Sequence, residues 1–469
     1  MIKKFCTKTF MLFFTLLLFS CNSDTNFNNA PSGAPEECLG KFYKSTINKY
    51  DSISHYTNGI AIAFKDKKQG LIDYKGKTRV ECVYDSLGII SFECIVAKNQ
   101  DKYGIIKNDG NIMTEFEYEK ICYQKGGNRI PSLFFVLKDK WGVVDSTGIE
   151  RIPCLYDKIE PKEKYTEKDS TFVFIIEKDN LTGICNFNHE ELIEVKYDGI
   201  LLFYNSYGFL FKNGKWGIFN KDFQIVTECL YDDISFPNDS SCKYVTVRKG
   251  TYSHGKYGII EISSGEIIIP FIYKKLEDYK NEQLILAKNN KDKFGFIDIN
   301  NNIVIPFEYD DAKNFSEGLA YVAKYKGYAT LWFGETVRTL KSGFINKKGE
   351  IVIPLKFADN SIQKPYFKEG LAPIGIGVNN IFANLFGYIN TKGEFVIEPQ
   401  FQEANPFKNG VASVMIKDKV GMIEKHGDFI IPAVYDDTWD NKYNSIGDTI
   451  IKLKRNDKEY SFKLNGAAI

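Results

Sequence analysis

The side chains with the most chemical capacity in this sequence are paired carboxylates, cysteines, four histidines and many aromatics. Asp232-Asp233, Asp310-Asp311 and Asp436-Asp437 each follow a tyrosine. Adjacent carboxylates could chelate calcium, but a calcium loop alternates Asp, Asn and Gly over about a dozen residues. These stretches do not, so their expected role is to cap turns. His55, His189, His254 and His426 are too scattered to make a metal-ligand spacing, and no CxxC occurs. No metal and no cofactor is expected. GxSxG, HExxH and phosphate-binding glycine loops are absent. Carboxylates abound, so an Asp/Glu hydrolase pair is chemically available. A catalytic site would nevertheless need residues found once, and this chain has few. The expectation is a protein that is not an enzyme.

Cys21 offers different chemistry. Lys3, Lys4 and Lys8 form a basic start, and residues 10–19 are a ten-residue apolar core. That core is too short to span a bilayer, which takes about 20 residues, and it reads as a secretory signal peptide over 1–20. Leu18-Phe19-Ser20-Cys21 resembles a bacterial lipobox, in which the cysteine is freed by cleavage and acylated. Phe19 is bulkier than the residue usual there. Residues 21–40, with Asn, Ser, Gly and Pro prominent, suit a flexible tether. Asn22 rather than Asp after the cysteine is compatible, by analogy, with outer-membrane sorting. The expected address is the cell envelope, with membrane contact through the lipid anchor alone.

Composition fits an exported domain. Without residues 1–20, the 61 basic and 60 acidic side chains become 58 and 60. No basic excess supports nucleic-acid binding. Eight further cysteines remain: Cys38, Cys82, Cys94, Cys122, Cys154, Cys185, Cys229 and Cys242. Export invites a disulfide reading. However, Cys82, Cys154 and Cys229 hold the same place in repeats two units apart, beyond the roughly 7 Å reach of a bridge. They read as small buried apolar residues.

The elements that position all this come from one repeated unit, clearest over residues 293–311. An aromatic-glycine pair opens a short apolar run, asparagines turn the chain, and a β-branched run stops at Pro306. Gly70, Gly104, Gly142, Gly183, Gly217, Gly258, Gly295, Gly343, Gly387 and Gly421 hold equivalent places at a mean interval of 39. A second glycine usually follows six residues later. Pro or Glu then recurs, as at Pro153, Glu228 and Pro306, with an aromatic three residues beyond. Another piece precedes the next glycine, as in Phe315–Ala320, Phe367–Ala372 and Phe407–Ala412. This is an internal repeat array.

The pattern [K]-[WYF]-G-[FIV]-[IV]-[DN]-x-x-G-x-[IV]-[IV]-[IV]-P-x-x-[YF]-D resembles that of the WG-repeat proteins, and copies at 140–157, 215–232 and 293–310 carry it best. Such proteins are mostly bacterial and often carry signal sequences, and the motif says little about function. The expected fold is all-β, with about ten tandem three-stranded WG-type repeats over 41–440 forming an open twisted β-solenoid or superhelix. β-Propeller-like rings are the alternative. Residues 441–469 imitate the start of a unit and are expected to cap the array as a degenerate half-repeat.

The repeat aromatics are expected in the core. Ligand contacts are sought where the period breaks, at the intervals of 48 and 44 around Gly343. The first break inserts residues 325–334 and the second 374–385. Tyr328, Trp332 and Phe333 lie off the pattern and are the candidate ligand contacts, since insertions in repeat arrays often mark a binding face. The function expected is a non-enzymatic scaffold for an envelope or surface protein. A second reading is direct binding of polysaccharide or peptidoglycan, and a third is a glycan hydrolase or hydrolase inhibitor.

Overall fold

The computed structural model describes residues 49–468 except 58, 90–93, 127–131, 166–169, 204–206, 237–241, 278–283, 331–335, 359–363, 377–384, 437–444 and 447–449. The described residues are all-β, with no helix, and their small antiparallel sheets do not close into barrels. Two compact units divide the chain, 1–205 and 206–469. The first holds the repeats of Gly70 to Gly183, the second those of Gly217 to Gly421.

Within a complete repeat the chain meanders through the three expected strands plus a short edge strand. In the Gly295 repeat these are Lys275–Leu276, Ile285–Lys288, Phe294–Ile297 and Ile303–Tyr309, paired in that order. The edge strand directly follows the closing aromatic of the preceding repeat. It is only two residues long here, which gives sequence periodicity nothing to act on.

The register explains the motif. Phe294 pairs with Tyr309, but Phe296 pairs with Ile305, so three residues, Pro306-Phe307-Glu308, arch across Gly295. The same jump occurs at Trp141/Val143, Trp216/Ile218 and Phe386/Tyr388. Proline is tolerated in the arch because a bulge leaves the ladder unpaired. The two recurrent aromatics are cross-strand partners, as in Trp141 with Tyr156 and Trp216 with Tyr231. The glycine is needed for space. A Cβ on Gly295 would lie 2.7 Å from the carbonyl oxygen of Ile305. The second glycine is needed for its backbone angle, as at Gly148 (φ 89°). Where it is missing, His189, Phe223 and Asn301 take the same left-handed position.

The core is a series of small interfaces between successive sheets. Phe296, Ile305 and Tyr309 of the Gly295 repeat pack with Phe315, Val322 and Ile345 of the next. Phe344 and Ile353 then pack with Phe367, Ile374 and Ile389. Each sheet thus needs a neighbour to cover it, the property of a quasi-one-dimensional repeat array. The arches tighten the stack: Phe307 stacks on Tyr273 of the preceding repeat at 5.8 Å, and Phe271 on Tyr231 at 5.9 Å. The closing aromatics from Tyr84 to Tyr435 are all buried, whereas of the aromatics before the glycine, expected in the core, Phe294 is buried and Trp141 and Trp216 are only half-buried. Burial pushes the Tyr309 phenol up to about 12.

At the C-terminal end, Ile450–Arg455 and Lys458–Lys463 form a hairpin joined to the last repeat through Asp436 and Lys454. Its Leu453 and Phe462 cover Met422 and Ile431. Among the described residues Cys82, Cys94, Cys122, Cys154, Cys185, Cys229 and Cys242 form no disulfide, and Cys82, Cys154 and Cys229 are half-buried rather than buried. Cys21, Cys38 and the 21–40 stretch lie outside the described residues, as does Asp437.

Candidate functional site

The acids after the closing tyrosine are structural. Asp232 accepts from Lys215 Nζ at 2.7 Å through one oxygen and from the Gly250 amide at 2.8 Å through the other. Asp310 accepts from Lys293 and from the Tyr325 amide, each at 2.8 Å. Asp85, Asp157 and Asp436 repeat the arrangement with Lys68, Lys140 and Lys419 and the amides of Gln100, Asp179 and Asn456. The motif lysine therefore reaches the motif aspartate, which then caps a turn in the following repeat. With both oxygens engaged, these carboxylates are turn caps rather than calcium ligands. Among the described residues no cluster of three or more His, Cys, Asp or Glu could hold a metal.

This clasp predicts acid sensitivity. Lysine hydrogen bonds hold the Asp85, Asp157 and Asp436 carboxyls below their usual value, helped by the turn amides. At Asp232 the same bonds outweigh burial, which acts in the opposite direction. A carboxyl whose folded pKa is depressed stabilises the fold above its unfolded value, about 3.9. That contribution disappears as pH falls through the folded value. Melting temperature should therefore drop below about pH 4. Each exposed pair contributes little alone, so Asp232→Asn should remove only a fraction of the slope. A melting temperature unchanged from pH 5 to pH 2.5 would rule the clasp out as a stabilising element.

The break around Gly343 is built on this frame. Other central hairpins turn after about six residues per strand, as in Tyr207–Lys212 with Lys215–Asn220. Here the strands are Leu319–Thr330 and Thr336–Asn346, paired as far as Thr330 with Thr336. Beyond Lys324 and Lys341, the level at which the others turn, the hairpin continues for six and five residues. At about 3.4 Å per residue that is an arm of roughly 17 Å. Its first strand is fixed at the base by the Tyr325 amide on Asp310. A bulge at Lys326 and Gly327 bends it, and Thr339 donates to the Gly327 carbonyl at 3.0 Å.

Of the candidate contacts, Tyr328 lies on this arm and is 68% exposed. Its ring meets that of Tyr325 edge to face at 5.6 Å. Trp332 and Phe333 lie outside the described residues. In the second break, Leu371–Ile376 and Leu385–Asn390 keep the ordinary strand length and pair up to Ile376 with Leu385. The inserted part there is 377–384, outside the described residues, rather than all of 374–385. Both breaks fall at the same turn of consecutive repeats.

Among the described residues no helix is long and apolar enough to cross a membrane. No protein of curated function matches the chain. Solved structures superpose loosely. A eukaryotic initiation factor covers 64% of this chain and 87% of its own, at 14% identity and a TM-score of 0.26. Hsv2 from Kluyveromyces marxianus covers 56% and 91%, at 11% identity and 0.30. BamB from Moraxella catarrhalis covers 73% and 95%, at 8% identity and 0.25. The family described as WG containing repeat matches residues 70–102, 141–162, 183–216, 216–257, 257–291, 294–328, 343–377 and 386–419. With more than half its length in these eight matches, and the aromatic-glycine register recurring through them, the chain belongs to the WG containing repeat family.

Proposed function

We propose that this chain is a non-enzymatic binding scaffold, exported and anchored through acylated Cys21, whose Gly343 arm engages a protein in the cell envelope or at the surface. The observation supporting this reading is the arm. Among the described residues, 336–340 beyond Lys341 pair only with the partner strand of the same hairpin, as do residues 326–330. Free strand edges are templates for another chain's main-chain hydrogen bonds. Exposed tyrosines beside such an edge supply contact area at low entropic cost. A strand edge favours a polypeptide over a glycan, because a saccharide has no complementary ladder to offer.

The test uses the full chain in its own cells. Cross-linking and capture should return one discrete protein. Changing Tyr328, Trp332 and Phe333 together to alanine should abolish that capture while leaving the far-ultraviolet spectrum and melting temperature intact. Capture of glycan alone would overturn the protein reading. Loss of folding in the triple variant would reassign these side chains to the core. Protease treatment of intact cells, beside Cys21→Ala, tests the address. The native array should fractionate with membranes and the variant should be released.

A further inference from the structure

In the second unit, a cleft of about 460 Å³ opens beside the edge strands Lys275–Leu276 and Asp311–Ala312. Three ammonium groups and two carboxylates line it. Lys275 pairs with Glu277 at 2.6 Å and Lys364 with Asp311 at 3.0 Å. Lys313 is different. Among the described residues it has no carboxylate partner, and its Nζ lies 5.6 Å from the centre of the Tyr366 ring. Equivalent places in neighbouring repeats hold Ser235, Glu277 and Asn405, so the excess cation is specific to this repeat. Burial pushes the Lys313 ammonium below its usual value, and Lys364 and Lys275 add to this while Asp311 and Glu277 oppose it. A half-buried, uncompensated cation is an unfavourable arrangement for a protein that leaves the cleft empty.

An adjoining cleft of about 310 Å³ shares Lys275 and Glu277 as walls and is also lined by Tyr257 and Thr246. Thr246 is 4% exposed, and among the described residues its hydroxyl has no hydrogen-bond partner. Buried polar groups are almost always satisfied. The two clefts therefore combine an anion requirement, an orphaned hydroxyl, two aromatic rings and carboxylates that accept from hydroxyl groups. A small inorganic anion would answer only the first.

We propose that this pair of clefts is a binding site for an acidic saccharide, a uronate-containing disaccharide, with its carboxylate on Lys313 and a ring hydroxyl on Thr246. The site is separate from the arm, and its test does not depend on it. Titration calorimetry on the full chain would compare digalacturonate, its neutral counterpart galactobiose and inorganic phosphate. Digalacturonate should bind, and galactobiose should bind at least about tenfold more weakly. Its affinity should fall as rising pH deprotonates Lys313. Lys313→Met should lose binding by at least about tenfold while melting no lower than the native chain, since it removes an uncompensated charge. Thr246→Val should weaken digalacturonate without changing the response to phosphate. Phosphate binding as tight as digalacturonate would reduce the site to a bare anion hole, and equal binding of the neutral sugar would remove the role of Lys313. No binding of any probe would overturn the proposal.

Discussion

Gly217→Ala should destabilise its repeat by about 3 kcal/mol or more, at the upper end of overpacking effects. The added Cβ would lie 2.7 Å from the Thr227 oxygen, 2.9 Å from the Glu228 carbonyl carbon and 3.0 Å from the Cys229 nitrogen. All three atoms are backbone, so no side chain can rotate away. Relief would require the arch over Gly217 to lift, and the arch is pinned at its end by Tyr231, paired with Trp216 and 3% exposed. The control is Gly199→Ala. Gly199 is an extended-strand glycine with no positive φ, and a methyl group added there would meet nothing within 4 Å. That substitution should be neutral or stabilising by several tenths of a kcal/mol, because it restricts only the unfolded chain. Urea unfolding of the two variants decides the matter. Equal midpoints would mean the glycine is kept for some reason other than space.

The repeat was legible in the sequence because each of its marks carries a local backbone or packing requirement. Gly295 must have no Cβ, Pro306 must sit in a bulge, and Phe294 must face Tyr309 across the ladder. Ten copies of one requirement stand out even when individual copies drift, as at Thr182 and Ser342. The clasp between lysine and aspartate was half legible. The residues lie in the motif, but the amide that the aspartate caps belongs to the next repeat, as with Asp232 and Gly250. That partner falls at variable distance along the chain. The edge strands were hidden for a simpler reason: Asp311–Ala312 is too short to show alternation. For the cleft, the sequence shows Lys313 only as a lysine where neighbouring repeats hold Ser235, Glu277 and Asn405, and its burial without a carboxylate partner among the described residues needs the fold. The arm was legible as a break in period, and Tyr328 as a residue off the pattern. That this break is a continued hairpin shows only in the pairing register, which runs past Lys324, where neighbouring repeats turn, as far as Thr330.

Phe367→Ala should cost about 3–5 kcal/mol, the range for emptying a fully buried aromatic site. Phe367 is 0% exposed and meets Phe344 of the preceding repeat at 4.8 Å. The same joint recurs as Phe296 with Phe315 at 4.9 Å and as Tyr388 with Phe407 at 4.9 Å. Phe315, Phe367 and Phe407 each precede a two-residue turn, and the first two turns are each tied to the turn that follows. Glu317 accepts from the amides of Glu369 at 2.6 Å and Gly370 at 2.9 Å, and Glu369 accepts from Asn409 and Gly410 at the same distances. The ring and the carboxylate therefore act on one interface. In a linear array, stability is a sum of repeat and nearest-neighbour terms. A large loss at one joint should uncouple the sheets on its two sides rather than weaken every sheet equally. Urea unfolding of Phe367→Ala should accordingly show a lower first transition and a separate later one, with amide exchange accelerating first in 311–376. Phe367→Leu, which leaves a smaller cavity, should shift the midpoint less and keep the transitions closer together. A single transition with an unchanged slope in both variants would mean that the repeats unfold as one body, and that coupling reaches well beyond adjacent sheets.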